Sequence, residues 1–194
     1  MTSEYNNICV YCSSSNAIDE IYYKPAIELG KKIAGTGKTL VYGGASIGLM
    51  GAIAESVKNN CGKVIGVIPE YLHKAGIAYL KCDELIVTKD LRERKQVMES
   101  AADVFFVLPG GYGTLEEFVE ILTLKQLKIH NKPIIIINTS DFYSKLLEFF
   151  ENVYEKKFTH SDYSGLYYVA ENISDAFKYL DSYKPAELKD KWFL

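Results

Sequence analysis

A glycine-rich segment near the middle of the chain has the residues to hold a phosphate group. Gly110, Gly111 and Gly113 follow an apolar run and precede a helical pattern, which is typical of a strand, a glycine loop and a helix start. Glycines lack a Cβ and let the backbone approach a ligand closely. The N–H groups and positive dipole end of the following helix attract an anion. The segment therefore predicts a phosphate loop, although a tight turn would use the same glycines.

Thr114 and Glu117 stand three residues apart at the predicted helix start. This spacing fits a capping box, in which each side chain accepts a hydrogen bond from the other residue's backbone N–H. We therefore expect the helix to begin at Thr114. A carboxylate beside a phosphate loop could also act in catalysis. Two interpretations of Glu117 stay open, a helix cap and an active-site group.

A charged run lies upstream on a predicted helix that Asp90 is expected to cap. The run is Arg92-Glu93-Arg94-Lys95. Such runs usually form the solvated face of a helix. Arginine and lysine also bind phosphate and stabilise negative charge. From the residues alone, the solvated face is the favoured interpretation of Arg94.

Strand-like runs alternate with helical patterns along the chain, and this alternation predicts how these residues are positioned. It favours a parallel sheet covered by helices on both faces, an α/β fold of the Rossmann-like, doubly wound type. The predicted strands are 8–12, 39–42, 63–68, 84–88, 104–108, 133–138 and 166–169. The predicted helices are 23–34, about 48–59, the helix after residue 90, 114–128, 142–154 and 174–180. Residues 70–81 have no clear pattern.

Ligands of such sheets bind beyond the carboxyl ends of the strands, where the winding direction reverses. With a strand order of 3-2-1-4-5-6, strands one and four flank this reversal. The loops after strands one, two, four and five would then converge on one crevice. Ser13, Ser14, Gly43 and Gly44 lie in the first two of these loops. They are candidate contacts for phosphate or ribose, and ordinary turn chemistry explains them equally well.

Two common nucleotide motifs do not fit the sequence. Gly44, Gly48 and Gly51 are not spaced as G-x-G-x-x-G, and they follow the second strand rather than the first. Gly37-Lys38-Thr39 joins a helix to a strand, which is the reverse of the order in a Walker phosphate loop. NAD and ATP are therefore disfavoured as ligands.

The composition is that of an ordinary globular protein. The chain has 194 residues, 48% hydrophobic and 24% charged, which suits a single domain. A net charge of −3 provides no attraction to nucleic acid or to an anionic membrane. No apolar stretch approaches the ~20 residues of a membrane span, and the first residues lack a signal-peptide pattern, so we expect a cytoplasmic protein. The segment from about residue 183 is expected to form a surface tail.

Four cysteines could in principle form disulfides, a metal site or a redox pair: Cys9, Cys12, Cys61 and Cys82. Cys9 and Cys12 stand three residues apart in a predicted strand, so they should face opposite sides of the sheet. No second pair has zinc spacing, and the three histidines are scattered. We therefore expect buried structural thiols and no metal.

Several motifs together resemble the LONELY GUY (LOG) family of cytokinin riboside 5′-monophosphate phosphoribohydrolases, which have long been mislabelled as lysine decarboxylases. These motifs are Tyr42-Gly43-Gly44, Gly48-Leu49-Met50-Gly51, Val67-Ile68-Pro69, Glu93-Arg94-Lys95 and Pro109-Gly110-Gly111-Tyr112-Gly113-Thr114-Leu115-Glu116-Glu117. The last contains the family signature P-G-G-x-G-T-x-x-E. The resemblance covers about residues 8–169. It implies a Rossmann-like homodimer that needs no metal or organic cofactor.

The resemblance also implies a reaction, the hydrolysis of an AMP-like nucleotide to free base and ribose 5-phosphate. The family's catalytic arginine and glutamate fall on Arg94 and Glu117. The resemblance implies that the substrate is bound by Lys95, Gly111, Tyr112, Gly113, Thr114 and Thr123. Gly110 of the predicted phosphate loop is a further candidate substrate-binding residue. Two positions depart from the family pattern. Leu91-Arg92 replaces the usual M-H, and Gly76 stands where family members often carry a substrate-contacting glutamate.

General chemistry supports these two catalytic roles. Cleavage of an N-glycosidic bond builds positive charge on the ribose, so a nearby carboxylate stabilises the transition state and can orient or deprotonate water. Glu117 suits this role better than Glu116, which points about 100° away round the helix. Arg94 suits positioning and charge stabilisation, because arginine side chains keep their proton.

Three alternatives stay open. The substrate could be AMP or another plain purine nucleotide rather than a cytokinin nucleotide. A non-catalytic nucleotide-binding module would keep the glycine loops without requiring Arg94 and Glu117. A lysine decarboxylase would need a lysine that carries pyridoxal phosphate, and the sequence shows no such site.

Overall fold

Seven strands and seven α-helices alternate within residues 5–185, the part of the chain described by the computed structural model. The strands are β1 (Asn7–Tyr11), β2 (Thr39–Tyr42), β3 (Lys63–Pro69), β4 (Glu84–Thr88), β5 (Val104–Val107), β6 (Ile134–Ile137) and β7 (Tyr168–Ala170). The helices are α1 (Tyr23–Gly35), α2 (Gly48–Asn59), α3 (Glu70–Lys74), α4 (Leu91–Ala101), α5 (Tyr112–Gln126), α6 (Ser144–Glu155) and α7 (Ile173–Ser182). The segment 70–81 contains the short helix α3. Most of the predicted tail lies outside the described residues.

The strands form one parallel sheet in the order β4-β3-β2-β1-β5-β6-β7. The Rossmann-like, doubly wound prediction is thus confirmed, but the predicted strand order is wrong. The winding reverses between β1 and β5, because β4 continues outward beyond β3. Burial explains the difference. All four residues of β5 are buried and need cover on both faces, whereas β4 is largely exposed or half-buried and suits an edge.

The sheet separates two hydrophobic clusters, because successive side chains of a strand face opposite sides. One cluster contains Cys12 with residues of α1, α2 and α7, and the other contains Cys9 with residues of α4, α5 and α6. The two cysteines therefore lie on opposite faces, as predicted, and both are buried. The expectation of buried thiols is wrong for Cys61, which is exposed at a turn with φ of 59°, and Cys82 is half-buried.

Helix α5 begins two residues earlier than the sequence predicts. Its N-cap is Gly111, and no side chain caps it. Thr114 and Glu117 are thus the third and sixth residues of the helix, and the predicted capping box is wrong. The glycine loop lets the backbone turn directly into the helix, and the side chain of Glu117 bonds Arg94 instead.

Within the described range, no helix is long and apolar enough to cross a membrane. The longest, α5, has 15 residues. This length falls short of the ~20 apolar residues that a bilayer requires.

Candidate active site

The side chains of Arg94, on α4, and Glu117, on α5, form a buried ion pair. Arg94 Nη1 donates to Glu117 Oε1 over 2.6 Å, and the two side chains are 8% and 4% exposed. Arg94 Nε also donates to the carbonyl oxygen of Val67 at 3.0 Å, near the carboxyl end of β3. The hydrogen bonds to Glu117 and Val67 fix the orientation of the guanidinium plane at the carboxyl edge of the sheet.

Gly43 makes room for this guanidinium at the end of β2. A Cβ at this position would lie 1.9 Å from Arg94 Nη2, well inside contact distance. Gly43 is therefore required by the position of Arg94, which is a more specific reason than turn chemistry. Its neighbour Gly44 has φ of +73°, a conformation that favours glycine.

Burial raises the pKa of Glu117 above the usual value for a glutamate, because a carboxylate loses hydration inside the protein. The charge and hydrogen bond of Arg94 oppose this rise. Carboxylates with a raised pKa are suited to exchanging a proton near neutral pH. Glu116 points the other way, and its carboxylate bonds Lys95 Nζ at 2.8 Å.

The glycine loop and the first turn of α5 have the geometry of a candidate anion site. The first backbone N–H groups of any helix lack intrahelical acceptors, and here they belong to Tyr112, Gly113 and Thr114. Gly110 is needed because a Cβ there would lie 2.1 Å from Thr114 Oγ1. A Cβ at Gly111 or Gly113 would meet no atom within 4 Å, so this part of the loop has space for a ligand.

A cavity of about 380 Å³ joins the ion pair to the glycine loop. Its lining residues come from the loops after β1, β2, β3 and β5 and from α2, α3, α4 and α5: Cys12, Ser13, Ser14, Ser15, Gly43, Ala45, Met50, Leu72, Ile77, Arg94, Gly111, Tyr112, Gly113, Thr114 and Glu117. This volume is in the usual range of small-molecule sites. The segment after β4 contributes Arg94 through α4, and the loop after β3, which was not expected at the site, also lines the cavity, because β3 lies next to β2 in the sheet.

Nine of the thirteen predicted site residues line this cavity, and four do not. The four are Gly44, Lys95, Gly110 and Thr123. Gly44 and Gly110 shape the backbone just behind the lining. Lys95 bonds Glu116 and Glu120 at 2.8 and 3.0 Å, and Thr123 Oγ1 donates to the carbonyl of Val119 in its own helix. The substrate-binding roles of Lys95 and Thr123 stay predictions.

Sequence reasoning missed six lining residues. They are Cys12, Ser15, Ala45, Met50, Leu72 and Ile77. Leu72 and Ile77 lie in the segment without clear periodicity, and only its position after a predicted strand could have identified it. The other four lie within or beside motifs that were singled out. Ala45 and Met50 carry no chemical signal in a sequence, and Cys12 was expected to be a buried structural thiol.

The described residues of the site include neither a cluster of metal ligands nor a lysine that could carry pyridoxal phosphate. Among residues 5–185, no cluster of three or more histidine, cysteine or acidic side chains could hold a metal ion. The described lining of the cavity includes no lysine, whereas pyridoxal phosphate requires one for its Schiff base. Lys95, the nearest in sequence to the ion pair, is held by two carboxylates.

The fold and the cavity define a Rossmann-like protein with a ligand site at the carboxyl edge of its sheet. A family model described as "Possible lysine decarboxylase" matches residues 50–180. The chain is 39% identical to cytokinin riboside 5′-monophosphate phosphoribohydrolase LOG1 of Arabidopsis thaliana, over 96% of this chain and 88% of that one. It is 37% identical to a probable enzyme of the same name, LOGL2 of Oryza sativa subsp. japonica, over 96% and 77%. The chain belongs to the LOG family.

A solved structure supports the fold. The molybdenum cofactor binding protein from the phototrophic bacterium Rippkaea orientalis has a TM-score of 0.71 to this chain and 23% sequence identity. The match covers 91% of this chain and 95% of that one. This likeness shows a shared fold only.

Proposed function

We propose that the protein hydrolyses the N-glycosidic bond of a purine (cytokinin) riboside 5′-monophosphate to free base and ribose 5-phosphate. The observation that carries this proposal is the buried pair of Arg94 and Glu117 in the same cavity as the glycine loop. The names of the two plant relatives describe the same reaction. A non-catalytic binding module would not require Arg94 and Glu117, so their joint presence at the cavity argues against it.

The anion site at the start of α5 holds the 5′-phosphate. Backbone N–H groups of Tyr112, Gly113 and Thr114 donate to its oxygens, and the helix dipole adds attraction. Ser13 and Ser14 border the same cavity from the loop after β1. A phosphate fixed there places the ribose over Glu117, three residues along the helix from Thr114.

Glu117 stabilises the positive charge that develops on the ribose and directs the attacking water. Its Oε1 is occupied by Arg94, so we assign Oε2 to the water. The water oxygen bonds to C1′ as the bond from C1′ to the base breaks, and the water's proton passes to the carboxylate and then to the leaving base. The raised pKa of Glu117 favours this proton exchange.

Arg94 has two functions in this scheme. It holds Glu117 in place through Nη1 and is itself held by the carbonyl of Val67. Its charge also stabilises the electrons that remain on the departing purine. Arg94 acts in this scheme through its charge and its hydrogen bonds and transfers no proton.

We further propose a cytoplasmic homodimer that acts on small nucleotides and does not bind nucleic acid. Exposed apolar side chains on α4 and α5 support a partner surface, since Leu91, Tyr112 and Val119 are 42%, 93% and 43% exposed. All four cysteines are free thiols, which is usual in a reducing compartment. Light scattering on purified protein measures the oligomeric state, and a monomeric mass would contradict the dimer.

The proposed function is tested by following base release from isopentenyladenosine monophosphate and from AMP. Arg94→Ala and Glu117→Gln should each lower kcat by about 10²–10⁴-fold. The control is Glu120→Gln, a carboxylate on the same helix that pairs with Lys95 at the surface and should keep activity. A folded wild-type protein that binds these nucleotides without cleaving them would establish the binding module instead.

A further inference from the structure

A buried tyrosine from the loop after β6 contacts the start of the glycine loop. The hydroxyl of Tyr143 donates a hydrogen bond to the carbonyl oxygen of Leu108 at 2.8 Å. Leu108 is the first residue after β5 and stands two positions before Gly110. Tyr143 is 3% exposed and does not belong to the described lining of the cavity. The contact therefore supports the loop from behind, on the side away from the ligand.

The same hydroxyl interacts with the loop itself. Burial raises the pKa of Tyr143 above the usual value for a tyrosine, and Cys12 adds to this rise, whereas a hydrogen bond from the backbone of Gly110 opposes it. The backbone group of Gly110 that can donate is its N–H. The hydroxyl oxygen thus meets the chain on both sides of Pro109, at the carbonyl of Leu108 and at the N–H of Gly110.

Gly110 lies between a fixed stretch of chain and an open one. Before it, the carbonyl oxygen of Pro109 accepts a hydrogen bond from the backbone N–H of Ser13 at 3.1 Å. After it, a Cβ at Gly111 or at Gly113 would meet no atom within 4 Å. The open stretch leads into the N–H groups of the candidate anion site. Its conformation therefore depends on the direction in which the chain leaves Gly110.

The backbone of the loop after β6 is arranged to place Tyr143 at this point. Ser140 and Asp141 have φ of 52° and 58°, a conformation that non-glycine residues adopt at a cost. The side-chain oxygen of Asn138 accepts a hydrogen bond from the backbone N–H of Tyr143 at 2.7 Å. Strained backbone persists where the surroundings impose it, and it is frequent at functional sites.

The hydroxyl, rather than the ring, is the informative group. A phenylalanine would fill the same space without burying an oxygen, and a buried hydroxyl costs free energy unless it forms hydrogen bonds. We propose that the Tyr143 hydroxyl is a positioning group, which holds the glycine loop in the conformation that binds the 5′-phosphate of the nucleotide. This inference rests on the proposed function and adds a residue that acts on the substrate through the loop.

The test compares wild type with Tyr143→Phe, which keeps the ring and removes the hydroxyl. Calorimetric titration measures the Kd of ribose 5-phosphate, which carries the phosphate, and of adenosine, which does not. The variant should bind ribose 5-phosphate about 5- to 10-fold more weakly, while its Kd for adenosine changes by less than about two-fold. A purely structural hydroxyl would not produce this difference between the two ligands.

Hydrogen exchange measures the loop without a ligand. The amide of Gly110 should exchange about five-fold faster or more in Tyr143→Phe, because local opening no longer breaks the contact with the hydroxyl. The matched control is Tyr168→Phe on β7, which removes a tyrosine hydroxyl that donates to Asp175 Oδ2 at 3.0 Å. Tyr168 lies outside the cavity lining, so both Kd values and the exchange at Gly110 should stay as in wild type.

The outcomes separate this inference from the proposed function. An unchanged Kd for ribose 5-phosphate in Tyr143→Phe, or equal weakening of both ligands, overturns the positioning role and leaves the hydrolase intact. A weaker Kd without faster exchange at Gly110 overturns it as well, since the effect would not act through the loop. A wild type that binds ribose 5-phosphate and cleaves no nucleotide contradicts the proposed function alone. If the wild type does not bind ribose 5-phosphate, the phosphate site is wrong and both proposals fail.

Discussion

The guanidinium of Arg94 and the carboxylate of Glu117 are joined at 2.6 Å, where their side chains are 8% and 4% exposed. Two charges that are buried to this extent lose their hydration, and the attraction between them does little more than offset that loss. Stability alone therefore gives no reason for the pair. The pair lines the same cavity as the glycine loop, and this placement supports the proposed chemical role, in which a carboxylate is held in one orientation.

Removal of one partner should cost more stability than removal of both. Arg94→Met leaves Glu117 as an uncompensated buried charge, which should lower the free energy of unfolding by about 3–5 kcal/mol. The double variant Arg94→Met/Glu117→Leu removes both charges and should recover most of this loss. Urea unfolding of wild type, both single variants and the double variant measures the coupling. A double variant that is less stable than either single variant would contradict this view of the pair.

The pH dependence of activity should report the environment of Glu117. Burial raises the pKa of Glu117, and Arg94 opposes the rise. Activity that requires the carboxylate should therefore fall on the acid side with an apparent pKa above that of an ordinary glutamate. In Arg94→Met the opposing charge is gone, so the residual activity should have its acid limb at still higher pH. A profile of kcat/KM against pH for both proteins measures the shift, and a limb that moves to lower pH is the contrary result.

Gly43 should be intolerant of a methyl group because of Arg94. Gly43→Ala would place a Cβ 1.9 Å from Arg94 Nη2, so the guanidinium must move away from Glu117. We expect kcat to fall by about 10²-fold or more, as for other misplaced catalytic groups. The matched control is Gly35→Ala at the end of α1, where a Cβ meets no atom within 4 Å, and activity there should be unchanged. Wild-type kcat in Gly43→Ala would show that Arg94 does not need its observed position.

Lys125 should destabilise the protein at neutral pH. It is 2% exposed, and its Nζ has no hydrogen-bond partner in the described structure. Burial lowers the pKa of Lys125 from 10.5 to about 8. Between these two values the unfolded chain binds more protons than the folded protein. The destabilisation caused by burying Lys125 is therefore complete below pH 8 and decreases as the pH rises towards 10.5.

Lys125→Met tests this penalty, because methionine keeps much of the apolar stem without the charge. The variant should be about 2–3 kcal/mol more stable than wild type at pH 7. The difference should shrink as the pH rises from about 8 towards 10.5. Thermal unfolding of both proteins across this range gives the comparison. Loss of the contact between Lys125 Nζ and the Tyr183 ring, at 5.2 Å, offsets a small part of the gain.

Local sequence patterns were enough to predict most elements of this fold. The strand at Thr39–Tyr42, for example, has the predicted bounds, because an apolar run between turn residues is a local signal. Local sequence patterns do not determine the order of the strands in the sheet. The place of β5 beside β1 depends on which strands must be buried on both faces. This can be decided only by comparing all the strands of the sheet.

The candidate site was predicted where residue chemistry is distinctive and missed where it is not. Arg94 and Glu117 were found by their family motif, while the capping box assigned to Glu117 was wrong because its carboxylate bonds a residue 23 positions earlier. Leu72 and Ile77 carry no such signal. The antiparallel bridge between Ala45 and Ala78 brings the loops after β2 and β3 together, and a contact between such distant parts of the chain has no local sequence signal.

The most direct test of the central claim is to identify the products formed from the nucleotide in ¹⁸O-labelled water. The mechanism assigned to Glu117 forms a bond between the water oxygen and C1′. It therefore predicts free base and an equal amount of ribose 5-phosphate that carries the label at its anomeric carbon in a rapidly quenched reaction. Formation of a nucleoside and labelled phosphate instead, or of no product at all, would contradict the account.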